Sequence, residues 1–162
     1  MSASRARLLR EVTDESRRHY AAYTLFNQAL ADHMGLHPTD LQCLGLLALE
    51  TRPMTTGRIA QLSGLTPGSA TRLVDRLEQA GFVARENDPD DRRRSLVRLL
   101  PRPGAEVAEA WDVPGRAFDE AMAEFSDDEL AVVAAYLRRL SAVGNEQAAR
   151  LVAERPARSP GG

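Results

Sequence analysis

The chain has 162 residues, of which 27% are charged and only 5% are aromatic, with a formal net charge of −2 and one cysteine. No apolar run reaches the roughly 18–20 residues of a membrane-spanning helix, and the Arg-rich start lacks the apolar stretch of a secretory signal peptide. We therefore expect a single cytoplasmic domain with its own core, and one cysteine excludes an intrachain disulfide.

Two helices are predicted in the first 50 residues. Apolar and aromatic side chains recur at helical spacing from Leu8 to about His33, and Gly35 ends this first helix. Pro38 fits the first turn of a second helix, where its missing N–H is no loss, and the apolar positions of that helix begin at Leu41.

A short helix, a glycine turn and a longer helix follow. Gly64 stands where the turn needs a positive φ, Thr66 can cap the longer helix, and Pro67 can open it. One face of the longer helix is apolar, and the other carries Ser69, Arg72, Arg76 and Gln79. This pattern is typical of a helix-turn-helix whose recognition helix covers residues 66–80.

A charged hairpin is predicted directly after the recognition helix. Residues 82–86 and 95–99 are strand-like, and they flank a turn-rich tip that contains three consecutive arginines. A helix-turn-helix followed by such a hairpin is a winged helix, with its wing over residues 82–99.

The last third of the sequence is helical. A helix from Gly104 to about Val113 should break or kink at Pro114 before continuing from 116 to 125. Ser126 and Glu129 have the spacing of a capping box that starts a final helix, and residues 155–162 are too polar and too rich in Pro and Gly to fold. The predicted fold is mostly α with a small β-wing, an α+β protein of about six helices.

The charge is unevenly distributed along the chain. Residues 52–98 hold nine Arg and six Asp or Glu, a balance of +3, whereas residues 99–162 have a balance of −4 and residues 1–51 a balance of −1. A basic lobe on an acidic body is typical of a protein that presents one face to phosphates.

The runs 59–66, 74–83 and 88–93 resemble the MarR family of dimeric transcriptional regulators. The resemblance implies a homodimeric repressor that binds double-stranded DNA at a pseudo-palindromic operator and is released by a small, often aromatic or phenolic, effector. It implies dimerisation helices at residues 1–35 and 101–154, a DNA-binding lobe at 36–100 and a disordered tail at 155–162. The family's usual Leu-Thr after the wing is replaced here by Leu99 and Leu100.

The expected DNA contacts lie on the recognition helix and at the wing tip. Two arginines one turn apart, Arg72 and Arg76, repel each other unless an anion faces them, and either could read a base, touch phosphate, or pair with Asp75 or Glu78. The resemblance implies that Arg93 enters the minor groove while Asp91 orients its guanidinium. The full predicted set is Thr66, Pro67, Gly68, Ser69, Thr71, Arg72, Arg76, Asp91, Arg92, Arg93 and Arg94.

Effector and metal sites are less defined in the sequence. The residues that could line an effector cleft, on position alone, are Tyr20, Tyr23, His33, Leu36 and Leu41, and for most of them the pattern favours a place in the core. A metal- or redox-responsive regulator using His33, His37 and Cys43 is an alternative.

Two other functional classes compete with DNA binding. A winged helix that binds protein would not need the arginines of the recognition helix and the wing. No phosphate loop and no catalytic set is suggested, so neither an enzyme nor a cofactor is predicted.

Overall fold

The structure is a computed structural model that describes residues 3–50, 52–91 and 93–154, and for residues 102–108 it describes the backbone alone. Six helices and three strands occur within these residues. In chain order they are α1 (Ala3–His33), α2 (Pro38–Leu49), β1 (Met54–Thr55), α3 (Thr56–Ser63), α4 (Pro67–Gln79), β2 (Val83–Asn87), β3 (Ser95–Leu99), α5 (Pro101–Met122) and α6 (Asp127–Ala153). The predicted fold class is confirmed. No described helix has both the length and the apolar character needed to span a bilayer.

The chain divides into two compact units, residues 1–112 and 113–162. The main core of the first unit brings α2, α3 and α4 against the sheet, with Leu44, Ile59 and Leu73 each no more than 2% exposed. A smaller cluster joins α1 to the start of α2 through Leu30 and Leu41.

The helix-turn-helix forms where local sequence signals predicted it. The Thr55 hydroxyl accepts a hydrogen bond from the Arg58 N–H at 3.1 Å and caps α3, and Thr66 accepts from the Ser69 N–H at 3.2 Å and caps α4. Between the two helices, Gly64 has a φ of +66°, the left-handed conformation that glycine adopts at least cost.

The three strands form one antiparallel sheet in the order β1-β3-β2. Val83 pairs with Leu99 and Asn87 with Ser95, so the first wing strand begins one residue later than predicted. Strand β1 was missed by the sequence analysis, since two residues are too few to show alternation. Its Met54 pairs with Val97 and is buried in the core.

Helix α5 is continuous from Pro101 to Met122, so of the break or kink predicted at Pro114 the break is wrong. A proline inside a helix removes one hydrogen bond, to the carbonyl of residue 110 here, while the hydrogen bonds on either side can hold the helix together. The helix begins at Pro101 rather than Gly104, because proline is well suited to a first helical position.

Helix α6 begins with the predicted capping box. Ser126 accepts a hydrogen bond from the Glu129 N–H at 3.4 Å, and the Glu129 carboxylate accepts one from the Ser126 N–H at 2.8 Å. No residue of α6, all of which are described, is buried. Its exposed large apolar side chains are Val132, Val133, Leu137, Leu140, Val143, Leu151 and Val152. The predicted disordered tail, residues 155–162, lies outside the described residues.

Candidate nucleic-acid interface

Helix α4 has a buried face and an exposed face, as predicted. Ala70, Leu73, Val74 and Leu77 are at most 1% exposed and fix the helix on the core. The predicted DNA contacts in the N-terminal half of this helix lie on its exposed face. Thr66, Pro67, Gly68, Thr71 and Arg72 are exposed, and Ser69 is half-buried. A β-carbon built on Gly68 would have no atom within 4 Å, so the chain itself does not require a glycine there.

The two arginines of α4 have different surroundings. The side chain of Arg72 is exposed, and within the described parts of the chain it has no hydrogen bond or ion pair. Arg76 binds the Asp40 carboxylate through two hydrogen bonds, Nε to Oδ2 at 3.0 Å and Nη2 to Oδ1 at 2.6 Å. The hydrogen bond to Asp40 raises the pKa of Arg76. The sequence analysis left open whether Arg76 contacts DNA or pairs with Asp75 or Glu78, and the carboxylate that it binds is a different one, Asp40.

The carboxylates that the sequence offered to Arg76 are bound to Arg85 of β2 instead. The Arg85 Nη2 lies 2.6 Å from Asp75 Oδ1, its Nη1 donates to the Glu78 carboxylate, and its N–H donates to Glu78 Oε1 at 3.1 Å. The sequence analysis did not identify Arg85 as a functional residue. The signal available in the sequence was an arginine within the first wing strand, seven and ten residues after two acids of the preceding helix.

The wing tip is shaped by two aspartates that bind the backbone. Asp88 accepts a hydrogen bond from the Asp90 N–H at 2.9 Å, and Asp91 accepts one from the Arg93 N–H at 3.0 Å. Asp91 was predicted to orient the Arg93 guanidinium, but its second oxygen lies 3.9 Å from Arg94 Nε instead. Local turn geometry brings the backbone N–H, rather than the side chain of Arg93, to this carboxylate.

Arg93 is the exposed cation at the tip for which the described residues provide no side-chain partner. Arg98, further along the wing, lies 3.2 Å from Glu86 on the neighbouring strand. Arg92, also predicted to contact DNA, lies outside the described residues. Of the arginines described in α4 and the hairpin, Arg72 and Arg93 are thus the two that lack a carboxylate.

The five predicted effector residues are not gathered at one site. His33 lines a cavity of about 300 Å³ together with Phe82, Glu109 and neighbouring apolar side chains. Leu36 lines a different cavity, of about 600 Å³, beside Asp40 and Arg76. Leu41 is buried in the core, whereas Tyr20 and Tyr23 are exposed and line neither of these cavities.

The residues of the metal or redox alternative do not form one site, and two of them have structural roles. Cys43 is buried in the main core, and burial together with the charge of Asp40 raises its pKa to about 11. The His37 ring caps α2, with its Nδ1 3.3 Å from the Thr39 N–H. Among the described residues, no three His, Cys, Asp or Glu side chains are placed to hold a metal ion.

The lobe that carries these arginines matches a known protein family. The model of the MarR family matches residues 36–95, which include the helix-turn-helix and most of the wing. The HTH-type transcriptional regulator YcgE of Bacillus subtilis is 37% identical over 127 residues, covering 78% of this chain and 82% of YcgE.

The chain belongs to the MarR family. It is a transcriptional regulator with a winged helix-turn-helix.

Solved structures of other proteins have the same fold. A MarR family protein from Bacillus stearothermophilus matches with a TM-score of 0.65 and 26% identity, over 84% of this chain and 94% of that one. A point mutant of S. aureus MepR, bound to an oligodeoxyribonucleotide, matches with a TM-score of 0.51 and 19% identity, over 85% of this chain and 96% of that one. In a MarR-family lobe, DNA binding is the activity that the exposed half of α4 and the wing tip imply.

Proposed function

We propose that this MarR-family chain is a cytoplasmic, non-enzymatic homodimeric repressor that binds a pseudo-palindromic operator and is released by a small-molecule effector. One observation carries the DNA-binding part. The recognition helix α4 and the wing each expose one arginine, Arg72 and Arg93, that has no carboxylate partner among the described residues. An unpaired guanidinium can neutralise phosphate or bind a base edge without first losing a partner.

In the proposed complex, the N-terminal half of α4 lies in the major groove. Arg72 binds a guanine edge or a phosphate, and Gly68 and Ser69 bring the positive end of the helix dipole close to the DNA backbone. Thr66, Pro67 and Thr71 flank this contact. The DNA-bound MepR structure supports this mode of binding through the shared fold alone.

The wing reads the adjacent minor groove through Arg93, with Arg92 and Arg94 on phosphates. An arginine in a narrow minor groove responds to A·T-rich shape more than to base identity. Asp91 contributes by holding the turn, because it accepts the backbone N–H of Arg93.

The surface of α6 supports a second copy of the chain as partner. Leu137 and Leu140 are 50% and 46% exposed, and no residue of this fully described helix is buried. Exposed apolar side chains at helical spacing are typical of a surface covered by another subunit. Two-fold symmetry would then place two recognition helices one DNA turn apart, about 34–36 Å.

The cavity beside His33 is the site proposed for the effector. Its volume of about 300 Å³ is at the lower end of the range for small-molecule pockets, and it combines apolar Phe82 and Ala110 with polar His33 and Glu109. A small aromatic or phenolic compound fits that lining. Operator release by such compounds in wild type, and its loss in His33→Ala, would test this site.

The main experiment measures binding to a fluorescent duplex from the DNA upstream of the chain's own gene, or to genomic fragments if that duplex is not bound. Wild type, Arg72→Ala and Arg93→Ala are compared across a salt series. Arg17→Ala is the matched control, because Arg17 is an exposed arginine of α1 outside the lobe.

Tight binding with a steep salt slope is expected for wild type and for Arg17→Ala. Each lobe variant should lose about 1–3 kcal/mol of binding free energy if it removes a base contact, and should reduce the slope by about 2 per dimer if it removes a phosphate contact. Binding no tighter than to random duplex would instead favour a winged helix that binds another protein.

A further inference from the structure

The contact between Asp40 and Arg76 joins α2 to the recognition helix. Asp40 is the one charged residue that is buried in the described parts of the chain, at 3% exposure. Both of its oxygens accept hydrogen bonds from a single guanidinium, which is half-exposed and lies 36 positions later in the sequence. A two-point contact of this kind fixes both distance and orientation.

The apolar contacts between α2 and α4 do not fix orientation in the same way. Leu44, Leu73 and Leu77 share one core, but apolar packing is not directional and constrains the rotation of a helix less sharply than two parallel hydrogen bonds do. Arg76 is in the last turn of α4, about 12 Å along the helix axis from Gly68 at a rise of about 1.5 Å per residue. A small rotation at Arg76 therefore moves the exposed N-terminal half of α4.

The same turn of α4 is held a second time. Asp75, the residue before Arg76, binds Arg85 of β2 at 2.6 Å. Since successive helical residues point about 100° apart, the two ion pairs hold α4 from different directions, one toward α2 and one toward the wing.

We propose that Asp40 and Arg76 form a positioning contact that sets the orientation of the recognition helix, and that Arg76 acts on DNA through α4 without touching it. This inference rests on the proposed DNA-binding function. Arg76 is a positioning residue, and Arg72, one turn earlier, is the residue that reads DNA.

Because Asp40 is buried, Arg76 should keep its ion pair with Asp40 instead of binding a DNA phosphate. If the guanidinium moved to DNA, a buried carboxylate would be left without its partner, at a large desolvation cost. Arg76 also lines the cavity of about 600 Å³ with His37 and Asp40, on the side of α4 that faces α2.

The first test needs no DNA. Amide hydrogen exchange is compared between wild type and Asp40→Asn, which keeps the size of the side chain and removes its charge. Exchange in the last turn of α4 should rise by about tenfold or more, while exchange in α6 stays unchanged. Glu86→Gln, which removes the charge of the exposed wing pair, is the control and should leave α4 unchanged. Unchanged exchange of α4 in Asp40→Asn would overturn the positioning role.

The second test measures operator binding and its salt dependence for Arg76→Lys, for Arg76→Gln and for the double variant Asp40→Leu/Arg76→Met. Lysine keeps the charge but cannot form the two-point contact. We expect Arg76→Lys to bind the operator about tenfold more weakly than wild type, a loss similar to that of about one base contact. The dependence of its affinity on salt concentration should have the same slope as that of wild type. The double variant removes the buried charge and its partner together, and it should bind more tightly than Arg76→Gln at the wild-type slope.

A direct contact between Arg76 and a phosphate predicts the opposite pattern: Arg76→Lys would keep its affinity, whereas Arg76→Gln and the double variant would both lose about 2 from the slope per dimer. A direct contact between Arg76 and a base predicts that the double variant binds no more tightly than Arg76→Gln. Either result would overturn the inference. Failure of wild type to prefer any duplex would overturn the proposed function instead, and the exchange experiment would still decide whether Asp40 positions α4.

Discussion

Arg85 of β2 and Asp75 of α4 are joined by an ion pair of 2.6 Å between Nη2 and Oδ1, which fastens the wing to the recognition helix. The Arg85 side chain is 26% exposed and also donates to Glu78. One guanidinium that is mostly shielded from solvent therefore adds polar contacts to the apolar packing between the helix and the wing.

Replacing Arg85 with Ala should lower the free energy of unfolding by about 1–2 kcal/mol. This exceeds the value of about 0–1 kcal/mol for an exposed ion pair, because Arg85 is largely shielded from solvent and binds two carboxylates. Urea denaturation measures the change. Arg98→Ala is the matched control on the neighbouring strand, since Arg98 binds only the exposed Glu86, and it should cost no more than about 0.5 kcal/mol. Equal losses in both variants would contradict the special role of Arg85.

Gly68→Ala should stabilise the free protein while a larger side chain at the same position weakens operator binding. Gly68 lacks a positive φ and a β-carbon there meets open space, so alanine gains about 0.5–1 kcal/mol from reduced backbone entropy. Gly68→Leu should lose about 1–3 kcal/mol of operator-binding free energy, because the leucine side chain fills the space proposed for DNA. A loss of this size is similar to that caused by one mismatched base pair.

Gly45 in α2 offers the control for this prediction, since its β-carbon would also meet nothing within 4 Å. Gly45→Ala should be as stabilising as Gly68→Ala, and Gly45→Leu should leave operator binding unchanged. Thermal unfolding and anisotropy titrations measure the two effects. If Gly68→Leu binds the operator like wild type, the N-terminal half of α4 is not against DNA.

Leu137→Glu should separate the proposed dimer. A charge placed among the exposed apolar side chains of α6 would be buried against the partner without a counter-ion. Arg139→Glu introduces the same residue two positions later, on the opposite side of the helix, and should leave assembly intact. Sedimentation equilibrium distinguishes the two, and equal assembly of both variants would place the partner elsewhere.

Cys43 should be protected from thiol reagents in the folded protein and should make stability depend on pH above 9. The pKa of the buried thiol is raised from 9.0 to about 11, so the unfolded chain releases its proton at lower pH than the folded one. The folded state then binds more protons between these values, and stability falls as pH rises through that window, by up to about 2 kcal/mol.

Urea midpoints measured from pH 8 to 10.5 test this dependence. Wild type should lose stability more steeply above pH 9 than Cys43→Ala, in which no thiol titrates. Rapid labelling of native Cys43 by a disulfide reagent at pH 8 would show that the thiol is accessible. That result would favour the alternative of a redox-responsive regulator.

Much of the secondary structure was predictable from sequence because its signals are local. Thr66 and Pro67 mark the start of α4 within a few residues, and Ser126 and Glu129 do the same for α6. Local turn chemistry also determines the role of Asp91, but an aspartate can bind either the backbone or a neighbouring side chain, and the sequence analysis chose the side chain.

Long-range pairing was not predictable in the same way. Asp40 and Arg76 are far apart in sequence, and no periodicity indicates that an acid in the first turn of one helix meets an arginine in the last turn of another. Burial decides the partner, and burial depends on the packed fold. For the same reason, a count of arginines in the lobe overestimates the cations available to DNA.

The exposed apolar surface of α6 has a consequence for gene dosage. In the proposed dimer, two chains must associate before an operator can be occupied, so at low copy number occupancy rises with the square of the number of chains. Halving the copy number would then reduce occupancy to about a quarter, where a single-chain binder would fall to about half. If α6 forms the proposed dimer, a helix with no buried residue in its own chain would make the regulator's output steeply sensitive to its own rate of synthesis.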